Sequence, residues 1–281
     1  MTATFVLPAP AKLNLFLHIT GQRADGYHLL QTLFIFLDYA DQISLTRRED
    51  GVIQRTNTVA DVPEEMDLVV KAAHLLQRYT QQTLGVDIEV DKYIPMGGGL
   101  GGGSSDAATV LVGLNELWQC GLSVDELAAL GLQLGADVPV FVRGQAAWAE
   151  GVGEQLTPVD LDLGWYIVIH PKVHVPTREL FLEKSLTRNC VPIKLAAFHE
   201  GETINVFQPV VETKFPEVAK AIAWLSGYTD ARLTGSGSCI FGSVNSKSVG
   251  LAILDDLPKD WFGFVAQGLI QSPLQQKLLN L

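Results

Sequence analysis

A chain of 281 residues with 47% apolar content can bury the core of one large or two ordinary domains, which excludes wholesale disorder. Its 31 acidic and 20 basic residues give a formal charge of −11, a sign that argues against nucleic acid or an anionic membrane surface as partner. An anionic small substrate stays open, because one pocket can be positive on an acidic protein.

In chain order, alternating apolar positions predict strands at 13–19, 33–37 and 43–45, with a break at Gly26. Residues 67–80 carry Leu68, Val69, Ala72, Ala73 and Leu76 on one helical face, and 86–92 alternate as a strand. Beyond a glycine cluster, 104–117 reads as helix. A second helix starts at Ser123, where Ser123 and Glu126 have the spacing of a capping box, and runs to Leu134. Strands are predicted at 138–142, 145–150 and 165–170. Helices at 206–211, 216–225 and 248–254 then alternate with strands at 231–233, 239–244 and 262–269. The mixture is α+β, with a boundary near 155–165 that divides the chain into 1–160 and 161–281.

Cys120, Cys190 and Cys239 are an odd number without a C-x-x-C pair, which suits a reducing cytoplasm and offers no metal site. The six histidines form no zinc pattern; His170 and His174 are four apart, but Pro171 between them breaks a shared helix face. No run approaches the ~18 apolar residues of a membrane span. The first ten residues hold two prolines and no basic segment ahead of an apolar stretch, so a secretory signal is not expected. A cytoplasmic monomer or weak homodimer is the expectation.

The most informative segment is 95–105, PMGGGLGGGSS, in which six of eleven residues are glycine. A predicted strand precedes it and a predicted helix follows, so bare N–H groups and a positive helix end are brought together, as a phosphate needs. A hinge or linker is the competing reading. The Lys of a Walker loop is missing. Gly97, Gly99 and Gly102 fit G-x-G-x-x-G, but several strands come first and no acidic ribose partner follows, so a dinucleotide fold rests on that pattern alone.

With the glycine segment in view, the chain resembles the GHMP kinases, and Pro95, Met96, Gly97, Gly98, Gly99, Leu100, Gly101, Gly102, Gly103, Ser104 and Ser105 resemble their ATP loop. Residues 10–17 (PAKLNLFL), 23–28 (RADGYH) with 30–32 (LQT), and 134–141 (LGADVPVF) resemble the branch of that family acting on a cytidine-diphosphate-linked methylerythritol. Residues 233–239 (LTGSGSC) match its second glycine loop, whereas 178–205 match poorly. The resemblance implies an N-terminal nucleotide-binding domain and a C-terminal ferredoxin-like domain with the site between them. It implies that ATP, with Mg²⁺, phosphorylates the 2-hydroxyl of the methylerythritol unit on the way to isoprenoids. A homoserine- or mevalonate-type kinase, or an NAD-binding protein, is the alternative.

Asp137, in a turn between a predicted helix and a predicted strand, is expected to be the general base; an Asp that merely orders that turn is the competing reading. Lys12, a cation inside an apolar strand, is expected to pair with it and stabilise charge on the transferring phosphoryl group. Asn14 leaves the same strand face two residues on. The resemblance implies substrate contacts for Asn14, with Tyr27 and Phe181 sandwiching the cytosine, His28 on its edge, Thr177 beside it and Gly235 near the phosphates. Lys92 and Tyr93 flank the adenine or end a solvated strand. No acidic residue is placed as a metal ligand.

Overall fold

The two apolar runs near the N-terminus form one long antiparallel hairpin, β1 (Thr4–Gln22) and β2 (His28–Arg48). The computed structural model describes residues 3–59, 62–199 and 203–280. In chain order there follow β3 (Ile53–Arg55), α1 (Leu68–Thr80), β4 (Gly85–Asp91), α2 (Gly102–Leu117), α3 (Val124–Leu132), α4 (Val138–Arg143), β5 (Ala147–Glu150) and β6 (Gln155–Pro158). The second half contains β7 (Trp165–His170), α5 (Thr177–Leu182), α6 (Leu195–His199), α7 (Gln208–Lys214), α8 (Pro216–Leu225), β8 (Arg232–Leu233), β9 (Ile240–Val244), α9 (Lys247–Asp255), β10 (Phe262–Leu269) and α10 (Pro273–Leu278).

Strand β2 organises the sheet. One edge runs along β1, and the other is shared in turn by β5 (at 32–34), β10 (at 36–37) and β4 (at 42–48). Through β10 the sheet continues to β7, β9 and β8. Of the ladders between described strands only β3–β4 is parallel, and the glycine segment follows β4 rather than a first strand. A doubly wound dinucleotide fold needs a parallel sheet, so that alternative is corrected here.

Residues 9–19 of β1 are nearly all buried, because both faces of the hairpin are covered. Helices α1 to α4 pack on one face with Leu7, Phe36, Ile43 and Leu45. On the other face Leu13, Leu33, Ile35 and Leu37 meet Val168, Phe241 and Phe264 of β7, β9 and β10. A further cluster, built on Ile167, Ile169 and Ile240, takes up Phe207, just ahead of α7, and Val211, Ala221 and Leu225 from α7 and α8.

Residues 138–142 are the helix α4, not the predicted strand, so Asp137 stands between two helices. The run Val-Pro-Val-Phe-Val is buried at every position, and a short run buried all round carries no period that separates helix from strand. Pro139 in the first turn and Gly144 at φ +64 past the end are helix punctuation. Helix α2 starts at Gly102, two residues ahead of expectation, and α7 starts at Gln208. The capping box is present, with Ser123 N donating to Glu126 Oε2 at 2.9 Å.

Gly113 is where α2 presses against the hairpin: a Cβ there would stand 2.6 Å from Leu7 Cδ1 and 2.7 Å from Leu45 Cδ1. Gly113→Ala should therefore lower stability by about 1–3 kcal/mol through overpacking, against an intrinsic helix gain of ~1 kcal/mol. Urea denaturation checks this, and a more stable variant would show that the interface yields.

Candidate active site

Three segments far apart in the chain meet through their backbones. Lys12 N on β1 donates to Leu100 O (2.9 Å), Cys239 N donates to Gly98 O (3.0 Å), and Asn14 N donates to Thr234 Oγ1 (3.0 Å). The glycine segment is thus clamped between β1 and the 234–238 turn. A Cβ on Gly99 would lie 2.3 Å from Thr234 O, and one on Gly101 would lie 2.8 Å from the Phe141 ring, with φ +79 and +75 at the two positions. Glycine serves close approach here, so the hinge reading is corrected: the run is packed on both sides.

The loop separates two cavities. The larger, about 1070 Å³, is bordered by Lys12, Asn14, Tyr27, His28, Asp137, Thr177, Phe181 and Gly235, which are all the substrate and catalytic residues expected from the sequence. The smaller, about 360 Å³, is bordered by Pro95 to Ser104 together with Asp67, Lys92 and Asp106. Gly97, Gly99, Gly101 and Ser104 border both. Ser105 borders neither; it is fully buried in the first turn of α2 with its hydroxyl unpaired.

Lys12 is 3% exposed, which rules out a lysine pointing to water. Its Nζ stands 3.5 Å from Asp137 Oδ2, donates to Asn14 Oδ1 and lies 5.4 Å from the Phe34 ring centre. Burial pushes its ammonium below the ordinary lysine range, and Asp137 opposes that shift. The Asp137 side chain is 36% exposed and, although at the N-cap of α4, makes no capping hydrogen bond. Asp137 therefore does not cap the helix that follows it. Asn14 Nδ2 donates to Thr32 Oγ1 at 2.9 Å, so both ends of the amide are held by protein and fix Lys12 in place.

At the far end of the larger cavity Tyr27 is 65% exposed in the turn before β2. His28 opens β2, and its ring stacks on Phe181 of α5 at 5.0 Å. Thr177, the first residue of α5, shares a 2.6 Å hydrogen bond with Ser236 of the second glycine turn. Gly235 approaches Gly99 O and Lys12 Nζ so closely that a Cβ would lie 3.0 and 3.4 Å from them.

Lys92 is neither a solvated strand end nor a free cation. It lies between two buried acidic side chains, bonded to Asp41 Oδ2 and, at 2.7 Å, to Asp106 Oδ2. Asp41 Oδ1 also accepts from Tyr93 N (2.6 Å) and Ile94 N (2.8 Å), which anchors the start of the glycine segment. Burial would lower the lysine, but the two carboxylates outweigh it and raise it. Burial, with the Asp41 charge added and Lys92 opposing, pushes the Asp106 carboxyl up to about 8. Sequence reading missed Asp41 and Asp106; an acidic residue four places into a buried helix (Asp106) was the signal available.

A carboxyl raised on folding holds a proton the unfolded chain has lost, so its contribution is present below the unfolded value and disappears as pH rises through the folded one. Asp106→Asn should therefore gain on the parent protein between pH 5 and pH 8, with the stability difference shifting in favour of the variant. Paired urea titrations at the two pH values test it; a constant difference would mean that Asp106 stays ionised throughout.

Comparison with known proteins gives a consistent picture. Residues 67–145 match the GHMP kinases N terminal domain, and 182–262 match GHMP kinases C terminal. A 4-diphosphocytidyl-2-C-methyl-D-erythritol kinase of Nitrosococcus oceani is 55% identical over 261 residues, 93% of each chain. One from Pseudomonas paraeruginosa is 53% identical over 281 residues, 100% of each. A crystal structure of a 4-(cytidine 5'-diphospho)-2C-methyl-D-erythritol kinase superposes with a TM-score of 0.81 at 31% identity, covering 94% of this chain and 99% of that one. A homoserine kinase from Cytophaga hutchinsonii gives a TM-score of 0.69 at 17% identity, with 96% of each chain covered, and shares the fold alone.

Proposed function

We propose a reaction from one premise: this chain belongs to the 4-diphosphocytidyl-2-C-methyl-D-erythritol kinases, a branch of the GHMP kinases. It is an ATP-dependent small-molecule kinase, and it transfers the γ-phosphoryl group to the 2-hydroxyl of 4-diphosphocytidyl-2-C-methyl-D-erythritol. The observation that carries the assignment of sides is the glycine wall common to both cavities, with Lys12 and Asp137 on one side of it. The nucleotide takes the smaller cavity, the acceptor takes the larger, and the phosphoryl group crosses at Gly97 to Ser104.

Asp137 orients the acceptor hydroxyl and takes its proton; its carboxylate is uncommitted to capping and partly open to the cavity. Lys12, buried and held by Asn14, supplies a fixed positive charge where the transferring group gains negative charge. The first N–H groups of α2 lack partners within the helix and fit phosphate oxygens. Mg²⁺ is the expected companion of ATP and neutralises its phosphates. Among the described residues no three His, Cys, Asp or Glu side chains converge on one point, so no protein cage for the ion is assigned. Tyr27, His28 and Phe181 receive the cytosine, and Thr177 and Gly235 the adjoining groups. The division into 1–160 and 161–281 is proposed with it, since helices α1 to α4 and helices α7 and α8 pack on separate apolar clusters.

An ADP-release assay with Mg-ATP, comparing the cytidine compound with homoserine and mevalonate, tests the reading: turnover is expected with the cytidine compound alone. Asp137→Asn should lose at least about a hundred-fold in kcat, the lower range for a general base. A smaller loss would leave Asp137 as an orienting group and remove it as the base.

A further inference from the structure

Arg188 lies in the coil after α5 and borders the larger cavity. Its guanidinium is almost fully engaged. Nη2 donates to the carbonyls of Phe181 (2.8 Å) and Glu183 (2.7 Å), Nη1 donates to Leu186 O (3.1 Å), and Nε donates to His28 Nε2 (3.1 Å). One side chain thus ties the end of α5, the coil beyond it and the first residue of β2 into one unit. The two rings it links, His28 and Phe181, are the stacked pair at the cavity end.

Arginine does not lose its proton in proteins, so Nε2 of His28 faces a permanent donor and must be an acceptor. A neutral imidazole has one donor and one acceptor nitrogen, and the bond at one fixes the other. The His28 proton therefore sits on Nδ1, and among the described residues no hydrogen bond engages that atom. Burial, and then the guanidinium charge, hold the ring below the ordinary histidine range. A charged imidazolium would set N–H against N–H.

We infer that Arg188 is a specificity-determining positioning residue: it locks His28 as an Nδ1–H donor, which accepts cytosine and rejects uracil. Cytosine presents an unprotonated N3 beside its amino group, whereas uracil presents N3–H, a second donor facing the first. A polar group left unpaired in this way discriminates strongly between near-isosteric rings. The inference rests on the functional reading above, which places a cytosine at this end of the cavity.

The test has two parts. Imidazole ¹⁵N spectra of the parent protein, with His28 assigned by its loss in His28→Gln, should show the neutral Nδ1–H tautomer at pH 7; a predominant Nε2–H tautomer would overturn the inference without any variant of Arg188. Next, kcat/KM is compared for the cytidine substrate and its uridine counterpart. Arg188→Met should cut the cytidine preference by at least about tenfold, the size of one charge-assisted hydrogen bond, mostly through KM. Arg188→Lys, which keeps one cationic donor nitrogen in place of the guanidinium fork, should recover part of the preference. Parent-enzyme turnover of the cytidine compound with an unchanged ratio in the folded variants would overturn the inference alone. Turnover of neither compound by the parent enzyme would overturn the functional reading and the inference with it.

Discussion

The structure depends on one steric constraint: three backbone segments far apart in sequence approach each other more closely than any side chain allows. Lys12 N to Leu100 O, at 2.9 Å, and Cys239 N to Gly98 O, at 3.0 Å, are the two bonds that set this approach. A Cβ at Gly98 would stand 2.5 Å from Cys239 Sγ, and one at Gly99 would stand 2.3 Å from Thr234 O. Once the loop is wedged there, its two faces open onto two cavities, and the beginning of α2 is aimed at the wall between them. The burial of Lys12 beside Asp137 is a consequence of the same clamp, because its own backbone forms one side of it.

Charge is handled by pairing cations individually, although the chain as a whole is strongly acidic. Lys12 is buried with one carboxylate 3.5 Å away and an amide oxygen in contact. Lys92 is held by the Asp41 carboxylate and by Asp106. The difference fits the proposed reaction: Lys12, the cation proposed to meet phosphate, is left short of negative partners, while Lys92 is engaged by Asp41 and Asp106, with Asp41 also gripping two backbone N–H groups. An unpaired buried charge is costly, and a fully paired one has little left to offer a ligand.

The larger cavity is walled by the hairpin and by α5 with the coil that carries Arg188. Strand β2 contributes His28, Thr32 and Phe34 to its lining, and α5 contributes Thr177 and Phe181. Gln31 bridges the same regions: its amide donates to Glu150 Oε1 at 2.9 Å and to Ile193 O at 3.1 Å, and accepts from Ile193 N at 2.8 Å. Thus the coil carrying Arg188 is tied to β2 at two levels, which is why a segment with little regular structure can hold a ring in one orientation.

Local chemistry in the sequence was enough for features whose cause is local. The alternation of β1, the Ser123–Glu126 cap and the glycine run before α2 each depend on neighbours within a few residues, and each was legible. So was the sharing of one strand face by Lys12 and Asn14, which period two dictates. The family motifs carried the rest of the candidate site, and it is these residues that border the larger cavity. What the sequence could not supply were partners chosen by packing. The helix at 138–142 was not legible because burial on all sides erases the period that separates helix from strand. Lys92 left solvent because Asp41 and Asp106 reach it from elements 51 and 14 residues away. Arg188 meets His28 across 160 residues of chain. Contacts of that range are decided by how the layers close on each other, so only the tertiary structure could assign them.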